Sequence, residues 1–314
     1  MTTTQARLPL AKKGNLGSRI IKQRTLLLML VPAIACAIIF IYSPMWGILM
    51  AFFDYNPGLG FKGSPFVGFK HFQRFFNDSN FWLMVRNSLA ISTLNIAFGT
   101  FFPILFAIML NEIRSIAYKR VVQTISYLPH FISFVVVANI ALTLLSPSGV
   151  VISMLMDLGI LKKSIVIFAE PKAFWWLVAG LNIWKEMGWS AIIYIASIAG
   201  IDPQLYEAAM ADGAGRLRRI WHITLTGMRP TIVVLFILAV PDLLQAGFDP
   251  SYLLGNAMVA DYSEVLDTYI YRLGLAQGQY SMATAVGLCR MAVGLVLILA
   301  ANAYARKVSE YSLF

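Results

Sequence analysis

Charge is what this chain has least of. Asp, Glu, Lys and Arg make up 13% of its 314 residues, about half the ~25% of an average soluble domain, so its surface is not written for water alone. Cysteine occurs twice, as Cys36 and Cys289, each inside an apolar run, and both read as packing residues with no disulfide role. The three histidines, His71, His130 and His222, are scattered without metal-ligand spacing and read as solvated or packed side chains. No G-x-x-x-x-G-K-S/T loop, G-x-S-x-G elbow or H-E-x-x-H pair occurs, so the chain is not read as an enzyme, and no metal or cofactor of its own is expected. Acidic residues are outnumbered by basic ones, giving a formal net charge of +10. The basic residues sit at the ends of apolar runs and not on one polar face, which excludes nucleic acid as the reason for them.

What the chain has in quantity is apolar sequence, 59% of all residues. A helix crosses the hydrocarbon of a bilayer with about 20 apolar residues. That length test predicts an all-α, polytopic membrane protein with six spans, near 26–53, 87–111, 121–145, 173–200, 230–248 and 281–305. The first run continues well past the signal-peptide-like Ala33-Ile34-Ala35, so it reads as an uncleaved anchor. With the N-terminus inside, fifteen of the 25 Lys and Arg residues fall on the cytoplasmic side and eight outside. The positive-inside rule then puts both termini in the cytoplasm. The divisions expected are a basic N-terminal segment 1–25, a first helix with its external loop 26–86, a five-helix core 87–305 holding a cytoplasmic loop 201–228, and a tail 306–314. The outer loops, about 54–86, 146–172 and 249–280, are long enough to carry partial order and to offer a surface to an external partner. Pro32, Pro44, Pro103, Pro129 and Pro241 lie within or at the edges of spans, where proline is tolerated and bends a helix.

Between two of the most apolar runs stands LYEAAMADGAGRLRRIWHITL, residues 205–225. Asp202-Pro203 is a helix start, the carboxylate capping free amides and the proline fitting the first helical position. Helix is predicted through Gln204, Leu205, Tyr206, Glu207, Ala208, Ala209 and Met210, with Glu207 in the first turns, where its charge suits the helix dipole. Gly213 is able to take the left-handed conformation that ends the helix, and a second helix starts near Arg216. Ala208 and Ala209 keep one side slim enough for another backbone to approach. Basic residues resting on lipid headgroups would explain Arg216, Arg218 and Arg219, but not the cap, the small residues and the stop glycine together.

This loop resembles the signature of ATP-binding-cassette importer permeases: E-A-A, three residues, G, nine residues, then I-x-L-P. Here stand Glu207-Ala208-Ala209, Gly213, Ile223 and Leu225 at that spacing, with Thr226 where proline is expected, a departure predicted to loosen the kink after the loop helix. FVGFKHFQRFF, RNSL, YKRVVQTISYLPHFIS, DTYIYRLGL and YSMATAVGL extend the resemblance over most of the chain, toward permeases of binding-protein-dependent sugar importers and, within them, those for oligosaccharides derived from polysaccharides. The resemblance implies the type I importer fold in a bacterial cytoplasmic membrane. It implies a second permease subunit, two ATPase subunits holding ATP and magnesium, and an external solute-binding protein. It also implies that Tyr206, Glu207, Ala208, Ala209, Asp212 and Gly213 form the helix and stop that couple to the ATPase.

Polar residues inside the predicted spans are the remaining signal. Asn182, Trp184, Lys185, Glu186 and Trp189 lie in the fourth span and Arg290 in the last. A charge at mid-bilayer costs about 2.5–3.5 kcal/mol on insertion scales, so such groups face protein or a watery cavity. Lys185 and Glu186 leave the helix about 100° apart and are not expected to neutralise each other. Two readings stand. In the first, these residues line a substrate path in which aromatic faces stack on sugar rings and the cations meet carboxylates, making the cargo an acidic oligosaccharide such as a uronate or alginate fragment. In the second they form structural ion pairs, for instance Glu186 with Arg290 or with the partner subunit. A self-sufficient transporter energised by ions through Glu186 or Asp242 is the alternative function, and it expects an inverted repeat that the sequence does not display.

Overall fold

The computed structural model describes residues 23–308. Most of the expected basic segment 1–25 and most of the tail 306–314 therefore lie outside the described residues. The chain divides into two units, one ending at Leu49 and the other starting at Met50. Helix dominates throughout, and among the described residues the one trace of sheet is an isolated bridge between Phe53 and Phe66.

The first helical span, α1 (Arg24–Phe52), runs for 29 residues at a mean hydropathy of 2.6. It is α-helical to Ala37, widens to a π-turn over Ile38–Tyr42, and tightens to a 3-10 helix from Ser43. Pro44 explains the change, because it has no N–H to give to the carbonyl one turn back.

In the second unit, α2 (Phe81–Asn111) is followed by a helix pair. Helix α3 (Ile116–Tyr127) runs into a 3-10 turn at Leu128–Phe131, and α4 (Phe134–Leu144) leaves it at 101°. The expected third span, 121–145, is thus broken in the middle. Pro129 opens the 3-10 turn, Ile132 is extended, and the Ser133 hydroxyl accepts from the Val136 amide as the cap of α4. Helix α5 (Phe174–Ala199) follows, then the short α6 (Pro203–Ala211), the span α7 (Arg216–Leu244) and the last span α8 (Tyr280–Val308).

Among the described residues, four helices are long and apolar enough to cross a membrane (α1, α2, α7 and α8), or five if the broken pair counts as one span. The helix at the expected fourth span, α5, is long enough at 26 residues. It falls short of that test because Asn182, Lys185 and Glu186 dilute its middle. The expected fifth span, 230–248, starts much earlier, since helix is continuous from Arg216.

Three buried clusters hold the second unit together. Ile91, Phe134, Val137, Phe174, Val178 and Val265 join α2, α4 and α5 to the outer loop. Met84, Leu266, Tyr269, Met282 and Val286 join α2 to α8, and Ala107, Ala191, Tyr194, Ile198 and Met228 join α2, α5 and α7. The outer loops are ordered, as expected, with short helices at Lys70–Phe76, Val150–Asp157, Phe248–Leu254 and Leu266–Tyr271. A hydrogen bond of 2.7 Å from Lys70 holds the Asp54 carboxyl below the usual carboxylate range, while burial pushes Glu264 up.

Asn87 carries much of the tie between α2 and the loop after α7. It is fully buried, and its Nδ2 donates to the carbonyls of Asp261, at 3.1 Å, and Glu264, at 2.8 Å. Beside it the Arg86 guanidinium lies over the rings of Tyr262 and Trp175, at 4.8 and 5.5 Å. Asn87→Ala strands two buried carbonyls and is expected to destabilise the subunit by about 1–3 kcal/mol, read as a lower thermal midpoint of the detergent-purified complex.

Candidate functional site: the inner loop and the central cavities

The loop helix α6 has the ends the sequence demanded. The Asp202 carboxylate accepts from the Gln204 amide at 2.9 Å, and Pro203 is the first helical residue. At the other end Gly213 takes φ +72°. The Ala214 amide donates to the Ala209 carbonyl at 2.8 Å and the Gly213 amide to Met210 at 3.1 Å, the paired bonds of a Schellman stop. One expectation is corrected here. The first turn of α6 holds no acidic residue, so Glu207 stands one turn in and Asp202 is the group at the positive end. Glu207 and Ala208 are exposed, and Ala209 is half-buried.

Two ties fix this loop to longer helices. Arg216 donates through Nε to the Glu112 carboxylate and through Nη2 to the Glu112 carbonyl at 3.1 Å, just past the end of α2. The Tyr206 and Thr224 hydroxyls meet at 3.0 Å. Arg216 begins a helix that passes through a π-turn at Ile220–Thr224 and continues into the apolar part of α7. With Thr226 in the place of proline the chain makes no stop there, and Pro230 lies inside the helix instead.

The polar residues of α5 face a set of cavities. One, of about 650 Å³, is lined by Asn95, His130, Asn182, Lys185, Glu186 and Gln245 among others. A second, of about 550 Å³, includes Asn95, Trp189, Tyr194, Asp242 and Gln245. A third and smaller one, about 240 Å³, shares Asn95, Asn182 and Glu186. The two larger volumes fall in the range of about 300–1,000 Å³ typical of small-molecule sites. Asn182 Nδ2 donates to Asn95 Oδ1 at 3.3 Å, so the two amides act as one patch. Neither Trp184 nor Arg290 lines these three cavities.

The expected independence of Lys185 and Glu186 does not hold. Lys185 Nζ donates to Glu186 Oε1 at 2.8 Å, and also to the His130 carbonyl at 2.8 Å. The helical angle between neighbours separates their Cβ atoms, but both side chains are long enough to bend together. The second bond has a further reason: the helix break leaves the His130 carbonyl without the amide a continuing helix would supply, and the ammonium takes that place. His130 Nδ1 lies 2.7 Å from Glu186 Oε2, and its ring stacks flat on Trp189 with centroids 4.4 Å apart. Arg290 donates to the Asp267 carboxylate, so the suggested Glu186–Arg290 pair is replaced by two separate pairings. Sequence reasoning passed over His130 and Asp267. The Pro129-His130 step followed by a capping serine was the available signal for His130; Asp267 had none.

Residues 99–310 match the family described as binding-protein-dependent transport system inner membrane component. The polygalacturonan/rhamnogalacturonan transport system permease protein YteP of Bacillus subtilis is 44% identical over 311 residues, 96% of this chain and 94% of that protein. Protein LplB of the same organism is 41% identical over 294 residues, covering 93% and 92%. A crystal structure of a bacterial ABC transporter involved in the import of the acidic polysaccharide alginate contains a chain 40% identical to this one. It superimposes with a TM-score of 0.85 over 94% of this chain and 99% of that one. A second structure of a bacterial alginate ABC transporter, in complex with an alginate pentasaccharide-bound periplasmic protein, gives the same score over 95% and 99%.

Proposed function

The chain belongs to the family of binding-protein-dependent transport system inner membrane components, and from that premise we propose that it is one of two permease subunits of an ATP-driven importer of acidic oligosaccharides. Six helical elements cross the membrane in this reading, the broken pair and α5 included, and both termini lie inside. A second permease completes the path, two ATPase subunits bind ATP and magnesium, and a binding protein delivers the sugar from outside. A self-sufficient ion-driven carrier is set aside, because family membership already assigns the energy source to a partner.

The observation that carries the coupling role is the loop helix itself: capped at Asp202, stopped at Gly213, exposed at Glu207, and braced to α2 and α7 through Arg216 and Tyr206. Tyr206, Glu207, Ala208, Ala209, Asp212 and Gly213 are the residues that meet the ATPase. Asn182, Lys185, Glu186 and Trp189 serve the sugar path together with Asn95 and Gln245, while Trp184 and Arg290 support it from farther away. Support for an acidic cargo comes from the alginate importer and from the polygalacturonan permease. A neutral oligosaccharide is the second reading, favoured by one observation: Lys185 and Arg290 are each already paired with a carboxylate.

The deciding measurement is ATP hydrolysis by the reconstituted complex, with binding protein loaded either with a uronate trisaccharide or with a neutral trisaccharide. We expect stimulation by the uronate at least about threefold over the neutral sugar, a difference of less than one kcal/mol on the scale of RT. Equal stimulation would leave the importer and remove the acidic specificity; stimulation by neither would remove the sugar.

A further inference from the structure

The sugar path holds one side chain whose arrangement the transport role does not by itself require. His130 sits at the 101° break between α3 and α4, and every polar group it offers is directed at α5. Its carbonyl takes the Lys185 ammonium, its Nδ1 faces the Glu186 carboxylate, and its ring lies parallel to the indole of Trp189 at 4.4 Å. The residues contacted are i, i+1 and i+4 of one helix. Positions one turn apart share a face, so the ring and the carbonyl are received on one side of α5 while Glu186 reaches round to the imidazole. A ring held by a hydrogen bond and a stack at once has little freedom to rotate, and neither has the indole beneath it.

The position of the pair matters as much as its rigidity. Trp189 lines the 550 Å³ cavity and His130 the 650 Å³ cavity, while Asn95 and Gln245 line both. The stacked rings therefore stand between two chambers that share the same amide groups. An aromatic face beside side-chain amides suits a sugar: the C–H face of a pyranose covers the indole, and hydroxyls reach the amides. Trp189 is 42% exposed, so part of its surface remains for such contact.

We propose that His130 is a positioning residue for sugar passage, clamping the indole of Trp189 as a stacking platform at the junction of the two chambers, with Glu186 and Lys185 serving to hold His130 and not to bind cargo carboxylates. The proposal rests on the importer reading above. It changes the assignment of the two charged residues: they cancel each other and orient an aromatic pair. Substitution of His130 therefore alters how fast a sugar moves through and leaves untouched how the loaded binding protein docks.

The test uses the whole complex in proteoliposomes, with uptake of a uronate trisaccharide followed against the concentration of loaded binding protein and expressed per complex recovered. His130→Ala is expected to lower the maximal rate about five- to tenfold, the scale of losing one aromatic partner, with the half-saturating concentration within about twofold of wild type. His130→Phe, which keeps a ring on Trp189, is expected to return at least about half of the rate, while His130→Gln, polar but without a ring, is expected not to. A full maximal rate in His130→Ala, or equal rescue by Gln and Phe, overturns the proposal. So does a shift in half-saturation without a change in maximal rate. A wild-type complex that takes up no uronate would instead overturn the importer reading, so the two failures are distinguishable.

Discussion

Charge reversal at Glu207 is expected to separate the permease from its ATPase while leaving the permease folded. The side chain is exposed, stands on the outer surface of a nine-residue helix, and makes no ion pair among the described residues. Its loss should therefore change subunit stability by less than about 0.5 kcal/mol, as for other surface positions. At a partner interface the balance is different. A charge desolvated against a groove and then reversed costs about 2–5 kcal/mol, which is roughly a 30-fold or greater weakening. Glu207→Lys should thus yield a permease pair of normal thermal midpoint that co-purifies little ATPase and supports no ATP-driven uptake. Gly213→Val reaches a similar end by another route. The backbone at 213 is at φ +72°, and a β-branched residue there either unwinds the Schellman stop or strains it. Retention of the ATPase at wild-type level in both variants would refute the coupling role of α6.

The second large effect is expected at Gly188, one residue before Trp189. A Cβ built there would lie 2.1 Å from the Ser126 carbonyl oxygen and 2.5 Å from its carbon, and both belong to backbone that has no side-chain freedom to yield. The glycine is what lets α5 and α3 cross so closely. Gly188→Val must push the two helices apart, and overpacking of this kind costs about 1–3 kcal/mol, or more where backbone has to move. The same displacement would separate His130 from Glu186 and Trp189, because those contacts span the same pair of elements. The expected result is a lower thermal midpoint together with uptake reduced at least about tenfold. Gly99→Ala makes the matched control: it also lies in a helix beside the cavities, yet a Cβ there meets nothing within 4 Å.

The loop was legible in the sequence because its determinants are local. Asp202 needs only the amide two residues on, and Gly213 only its own φ, so a cap and a stop can be read without knowing the rest of the fold. Span positions were legible for the same reason wherever apolarity ran unbroken, as in α2 and α8. The break at residues 132 and 133 was not, since YLPHFIS is apolar enough to pass for continuous helix and its bend is fixed by what packs on either side. The pairings of Lys185 and Arg290 were unreadable for a different reason. Their partners are His130 and Asp267, which are distant in sequence or carry no signal of their own, and a helical wheel treats each side chain as a spoke without reach. Thr226 warned correctly that the segment after the loop departs from the usual pattern, but not that helix would run on from Arg216 without a halt.

The two braces on the inner loop have a mechanical consequence. Arg216 fastens the segment to the end of α2, and Tyr206 fastens α6 to the turn from which α7 rises. Any shove delivered to α6 thus arrives at the base of two long rods together, with no slack between them to absorb it. Those rods tilt as a single lever, and the chambers between α2, α5 and α7 are widened or pinched by the far arm of that lever.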